Sequence, residues 1–212
     1  MESGDIEELF GIIPRIGVLR DSRFKERLVR ILFEKNVKRR EFAAFAMGAM
    51  RNQEFLEPLK KAYHEAAAMR GRGAEELQVA VIEAIGSIGN DASVDFFLPI
   101  LQASAACKSG RRMCKWIVES LGTIAQQGGA RSLNALVELT RHQDPELQAQ
   151  ALSELSVAYW HRPNEVAEDT LHRMYILTRD RNPLVAESAL AALQSLADVG
   201  CRRAERLFAK NS

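Results

Sequence analysis

The sequence predicts an all-α chain, a solenoid of stacked helix pairs, and three observations lead there. Apolar residues recur at helical spacing along nearly the whole chain, turn residues interrupt them at regular intervals, and one short pattern keeps returning. The pattern is clearest in Glu76–Gln102, ELQVAVIEAIGSIGNDASVDFFLPILQ. There Leu77, Val81, Ile82, Ala84, Ile85 and Ile88 form the stripe of a helix with one buried side. Gly86 and Gly89 loosen its last turn. Asp91 or Ser93 is then placed to cap a second helix, whose run Phe96, Phe97, Leu98, Ile100, Leu101 is again apolar. Two such helices cannot bury their stripes against each other alone, so each pair needs a neighbour.

The neighbours are present. Ala84-Ile85-Gly86-Ser87-Ile88-Gly89 is echoed by Ser120-Leu121-Gly122-Thr123-Ile124-Ala125, by Glu154-Leu155-Ser156-Val157-Ala158-Tyr159 and by Ala192-Leu193-Gln194-Ser195-Leu196-Ala197. A more distant echo is Ala46-Met47-Gly48-Ala49-Met50-Arg51, and the steps along the chain are 38, 36, 34 and 38 residues. The core column Leu77, Val81, Ile85, Ile88 becomes Met113, Ile117, Leu121, Ile124, then Leu147, Ala151, Leu155, Ala158, then Val185, Ala189, Leu193, Leu196. A period of this length is that of a repeat made from two helices and two turns.

Taken in order, Asp5–Leu19 reads as a helix interrupted at Pro14. Asp21-Ser22 can cap a second, Arg23–Lys35, with the stripe Phe24, Leu28, Ile31, Leu32. Residues 1–37 thus read as a diverged capping pair, which covers the bare face of the first full repeat. The repeats follow over 38–199: Lys38–Arg51 with Glu54–Met69, Glu75–Gly89 with Ser93–Ala106, Arg111–Gln126 with Ala130–His142, Pro145–Trp160 with Val166–Arg179, and Pro183–Val199. Residues 200–212 supply a capping helix, Cys201–Lys210, rich in arginine. Arg70-Gly71-Arg72-Gly73 reads as a loop, and no domain boundary or low-complexity linker interrupts 1–212.

The motif Ala-Ile-Gly-Ser-Ile-Gly-Asn-Asp followed by Phe-Leu-Pro-Ile-Leu resembles the HEAT repeat, in the short bacterial form first associated with phycobilin lyases. Asp144-Pro145 and Asn182-Pro183 resemble that family's turn between repeats, and Pro58 and Pro99 sit where its second helix favours proline. The resemblance covers about Lys38 to the C-terminus. It departs in lacking the usual Val-Arg after the proline, where Leu147-Gln148 and Val185-Ala186 stand. It implies a right-handed α-α superhelix, a HEAT-type solenoid of about five to six pairs, whose second helices line the concave face.

Composition sets the surroundings. Apolar residues make up 47% and charged ones 27%, ordinary for a soluble protein. Charges break the apolar runs before the ~18 residues a membrane span requires. The start MESGDIEELF lacks the basic segment of a secretory signal, and three cysteines without CxxC spacing point to a reducing cytoplasm. The net charge is +1, but it is banded. Residues 71–106 carry one basic and five acidic side chains, 107–131 five and one, 132–170 two and seven. A phosphate track needs positive charge along its length, so banding favours a protein partner over nucleic acid.

Three candidate surfaces stand out. Trp116, with Arg111, Arg112 and Lys115, occupies the column of Phe42, Ala80, Gln150 and Ser188, beside the core column; Arg112 is one turn away, in reach of a cation–π stack. The alternative is that Trp116 wedges between adjacent helices. Tyr159-Trp160-His161-Arg162 puts large aromatics at a turn where other copies have small or polar residues. A partner would cover them, or the loop at Pro163-Asn164 would. The third surface is the row of second helices, with Glu57, Lys60, Lys61, His64, Gln102, Asn134, Glu138, Arg141, His172 and Arg173, or else an ordinary solvated face.

The four histidines lie on different repeats, and Cys107 and Cys114 are seven apart across a turn, so no tetrahedral metal set is expected. No Gly-rich phosphate loop, no GxSxG and no acid/base couple is recognisable. The expectation is a non-enzymatic scaffold without cofactor that binds another protein, with Trp116, Arg112, Tyr159 and Trp160 as anchors. Two other readings follow from resemblance: a nucleic-acid-binding protein similar to bacterial alkylpurine glycosylases built on HEAT-like repeats, and a phycobilin lyase or chaperone.

Overall fold

A computed structural model of the chain describes residues 22–69, 71–105 and 110–209. Among these every regular element is helical. Ser22–Phe24, Gln53–Phe55, Asp91–Ser93 and Pro163–Glu165 are short 3-10 turns. The α-helices are α1 Lys25–Leu32, α2 Val37–Met50, α3 Leu56–Ala68, α4 Arg72–Ile88, α5 Val94–Ala105, α6 Arg111–Gln126, α7 Ala130–Leu139, α8 Pro145–Ala158, α9 Glu168–Leu177, α10 Pro183–Asp198 and α11 Arg202–Ala209. No helix among the described residues is long and apolar enough to cross a membrane.

Asparagine or aspartate starts three of the α-helices. Asn36 accepts a hydrogen bond from the Arg39 amide (3.3 Å), Asp144 from Glu146 (2.9 Å) and Asn182 from Leu184 (3.0 Å), at the heads of α2, α8 and α10. Each satisfies one of the amides that a helix N-terminus leaves open. In the turns before α3 and α5, Asn52 and Asn90 do the same for Glu54 and Ala92 (3.0 and 2.8 Å). The cap expected of Asp91 or Ser93 therefore belongs to Asn90. Ser93 is buried instead, and its hydroxyl has no hydrogen-bond partner. The helix α1 follows Phe24 with no side-chain cap. The stretch expected as a loop at Arg70–Gly73 is shorter, since α4 already begins at Arg72. The expected helix Asp5–Leu19, with Pro14, and Cys107 lie outside the described residues.

The packing falls into two units, Met1–Ile100 and Leu101–Ser212. In the first, α2 lies against α1 and α4, and α3 against α4. Phe55, Met47, Leu59, Leu77, Ile82 and Ile85 are fully buried there. Lys38 joins α2 to α4 by bridging Glu41 (2.9 Å) and Glu76 (3.0 Å). Arg40, 6% exposed, donates to the Leu32 carbonyl (2.7 Å) and meets Glu65 at 3.1 Å, tying the end of α1 to α3.

In the second unit α8 is central, packed on α6, α7 and α10, while α10 also meets α9 and α11. Ile117, Leu121, Ile124, Leu136, Leu155, Met174, Leu193 and Leu196 fill its core. Several bonds reach back about one repeat length. Gln150 donates to the Lys115 carbonyl (2.8 Å), Arg173 to the Thr140 carbonyl (2.7 Å), Arg162 to the Ala125 carbonyl, and Arg203 to the carbonyls of Asn164 (3.0 Å) and Val166 (2.6 Å). Apart from that of Lys115, which lies within α6, these carbonyls are at helix ends or in turns.

The helices that open successive pairs approach closely at small residues. A Cβ added at Gly48 on α2 would stand 2.8 Å from the Ala84 Cα on α4. Gly48→Ala sets two effects against each other. Helix propensity alone favours alanine by about 1 kcal/mol, whereas forcing α2 off α4 costs about 1–3 kcal/mol. We expect the steric cost to win, lowering the urea midpoint; an unchanged or raised midpoint would refute the close approach.

Candidate functional site

The second unit places both tryptophans of the chain on one side. The register between α6 and α8 is set by three contacts: Arg111 pairs with Glu146 at 3.3 Å, Gln150 bonds the Lys115 carbonyl, and the Glu154 side chain lies over Gly122, where a Cβ would overlap its carboxylate. With that register, helical periodicity defines parallel outward ridges. On α6 the ridge is Arg112, Trp116, Glu119, Thr123 and Gln126. On α8 and its C-terminal turn it is Glu146, Gln150, Ser153, Val157 and Trp160. On α10 it is Leu184, Ser188, Ala191, Ser195 and Asp198. None of these residues is buried.

Trp116 is half-buried and Trp160 is 48% exposed. Trp160 is ten residues beyond Gln150, the register mate of Trp116. At 1.5 Å rise per residue and one interhelical spacing of 8–10 Å, the indoles are roughly 17 Å apart. Val157, 42% exposed, sits one turn before Trp160. An indole left half in water forgoes on the order of 2–3 kcal/mol of burial.

The aromatic turn divides its residues between inside and outside. Tyr159 is only 7% exposed, with the Arg162 guanidinium 5.9 Å from its ring centre and burial pushing its hydroxyl pKa up. Arg162 also donates to the Ala158 carbonyl (3.4 Å) and to that of Ala125, so it locks the turn in place. The expectation that Tyr159 is a surface anchor is thus corrected: it belongs to the packing. The Arg162 guanidinium stands over its ring. Trp160 and His161 remain exposed, and the Trp160 amide is held by the Val157 carbonyl at 3.1 Å.

Arg111, Arg112 and Lys115 are exposed at the head of α6, with Arg111 paired to Glu146. The row of second helices does not gather into a site. In the first unit Lys60 pairs with Glu57 at 2.8 Å, and the exposed His64 stands edge-on to Tyr63 and Phe96, both at 5.8 Å between ring centres. In the second unit Arg141 pairs with Glu138 at 2.7 Å and His172 is exposed. Arg173 is half-buried and holds the Thr140 carbonyl, while its Nε is buried without a hydrogen-bond partner; its expected surface role gives way to a structural one. Among the described residues no three His, Cys, Asp or Glu side chains converge as metal ligands. Cys114 and Cys201 are buried free thiols, and burial pushes the Cys114 thiol pKa up.

Two residues escaped the sequence reading. Val157 was legible, since it shares the ridge with Trp160. Glu154 had a clearer signal: it stands in the column of Ala46, Ala84, Ser120 and Ala192. Its carboxyl is folded over Gly122, and burial, then the neighbouring Glu119 charge, push it up from 4.5 to about 7.

The fold therefore favours protonated Glu154. That stability is fully present below the ordinary carboxylate range and is lost as pH rises through about 7. The group is partly wet, so screening reduces the effect to on the order of 1–2 kcal/mol. Between pH 5 and pH 8.5, Glu154→Gln should lose less stability than the native chain in urea melts. Parallel pH profiles for the two would contradict this.

No protein-family model matches the chain, and a search of curated proteins finds no relative.

Proposed function

We propose that the chain is a HEAT-type, right-handed α-α superhelix acting as a non-enzymatic, cytoplasmic scaffold that binds another protein. The repeat reading is supported by the side-by-side packing of α2 with α4 and of α6, α8 and α10 in turn. It is supported further by hydrogen bonds that reach back 33 to 39 residues, close to the sequence period. Such bonds hold side chains on successive helices at fixed spacing. A surface ordered in advance loses less entropy on binding.

One observation carries the binding role: both tryptophans lie on the outward face of α6 and α8, with Trp160 half in water on a locked turn. Tryptophan and arginine are the residues that most often dominate protein interfaces. The ridges also mix signs, with Arg112 against Glu119, Glu146 and Asp198, which suits a protein surface better than a phosphate backbone.

The test is to change Trp160 and Trp116 to alanine separately and compare cross-linked partners from the native cell. Trp160→Ala should lose partners at least tenfold with the melting temperature nearly unchanged, because the ring is half in water already. Trp116→Ala should lose both partners and some stability, because its ring is half-buried. Retention of every partner by both variants would end the reading.

A further inference from the structure

We propose that the α6–α8 face takes an amphipathic helix of about three turns from its partner, with an apolar residue near each end and a lysine or arginine between them. This deepens the protein-binding reading above and rests on it.

Size decides the kind of occupant. The ridge from Arg112 to Gln126 covers about 21 Å of helix, and with the α10 ridge flanking α8 the three helices at 8–10 Å spacing add about 16–20 Å across. The face is therefore roughly 400 Å², half of the ~800 Å² per partner that a stable globular complex buries. A single docked helix matches that area, and a second folded copy of this chain does not. Spacing agrees. The ~17 Å between the indoles equals eleven to twelve residues of helix, about three turns.

Relief and charge supply the rest. Between the indoles the short side chains Ser153 and Thr123 stand beside the longer Glu119, and Val157 is the exposed apolar residue next to Trp160. There the Glu154 carboxyl reaches across Gly122, beside Glu119 on the α6 ridge. Two carboxyls this close repel each other, and no lysine, arginine or histidine acts on Glu154 among the described residues. A cation brought in midway between the tryptophans relieves that repulsion, and the flanking rings bury its apolar neighbours. An acidic helix would meet the same pair with repulsion.

Both tryptophans of the chain are on the face, so their emission reports its occupancy. Two helical probe peptides are titrated, each with leucines eleven residues apart. One carries lysines between them on the same side, the other glutamates. The lysine peptide should shift the emission and bind at least tenfold more tightly than the glutamate peptide, with the margin shrinking as salt is raised. Glu119→Gln combined with Glu154→Gln should erase most of that preference, while leaving the circular dichroism unchanged. Equal affinity for the two peptides, no binding of either, or an unaltered preference in the double variant would each overturn the inference. So would self-association in sedimentation that quenches the same tryptophans, which would make the occupant a second copy. If the peptides fail while Trp160→Ala still loses its cellular partners, only the helix is ruled out and the protein-binding reading stands.

Discussion

The approach of the opening helices at small residues is the constraint from which the rest follows. Gly48 lies against the Ala84 backbone in the first unit, and Gly122 lies under Glu154 in the second. Between Gly48 and Ala84 no side chain holds the helices apart, so those backbones settle at a short, fixed spacing, whereas Gly122 leaves the room that the Glu154 side chain fills. Apolar stripes such as Ile117, Leu121 and Ile124 then face a neighbour whose own stripe is in register, and these side chains are fully buried. The same register decides which residues are left outside. Trp116 and Trp160 share a face because the columns containing them fall on the outward ridge, one helix apart.

Close packing of helix ends leaves carbonyls in turns that no helix satisfies, and the second unit answers with long cationic side chains. Arg162, Arg173 and Arg203 each donate to a backbone carbonyl contributed about one repeat earlier. A buried acceptor without a partner costs about 1–3 kcal/mol, so these arginines act on packing more than on surface charge. Counting them as part of a binding surface overstates its basicity. The cations left on the candidate face are those at the head of α6.

Much of this architecture was legible in the sequence. The period, the core columns and the boundaries of α6, α8 and α10 follow from apolar spacing and from Asp144-Pro145 and Asn182-Pro183, because burial and capping are local in sequence. What could not be read was the choice between neighbours at a turn. Tyr159 and Trp160 are adjacent, and only the position of Arg162, held by the Ala125 carbonyl far upstream, sends one ring in and leaves the other out. Arg173 shows the same limit: its type suggests display, whereas its bond to Thr140 depends on packing. The cap at Asn90 was missed for a different reason. Asn90, Asp91 and Ser93, three polar residues within four positions, can each start a helix, and the backbone geometry selects one.

The same columns give the outer face of α10 a different character from that of α8. On α8 the stripe that meets α10 is Ala149, Leu152 and Ser156, all buried. The equivalents on α10 are Glu187, Leu190 and Gln194, all exposed, with Leu190 at 39% where Leu152 is fully buried. Gln194 occupies the column of Gly48, Gly122 and Ser156, so a further helix would meet a long polar side chain where its predecessors met none. Docking there would require Glu187 and Gln194 to lose water without gaining partners, which costs more than covering one leucine returns. The same column is therefore small and buried on α8 and large, polar and exposed on α10.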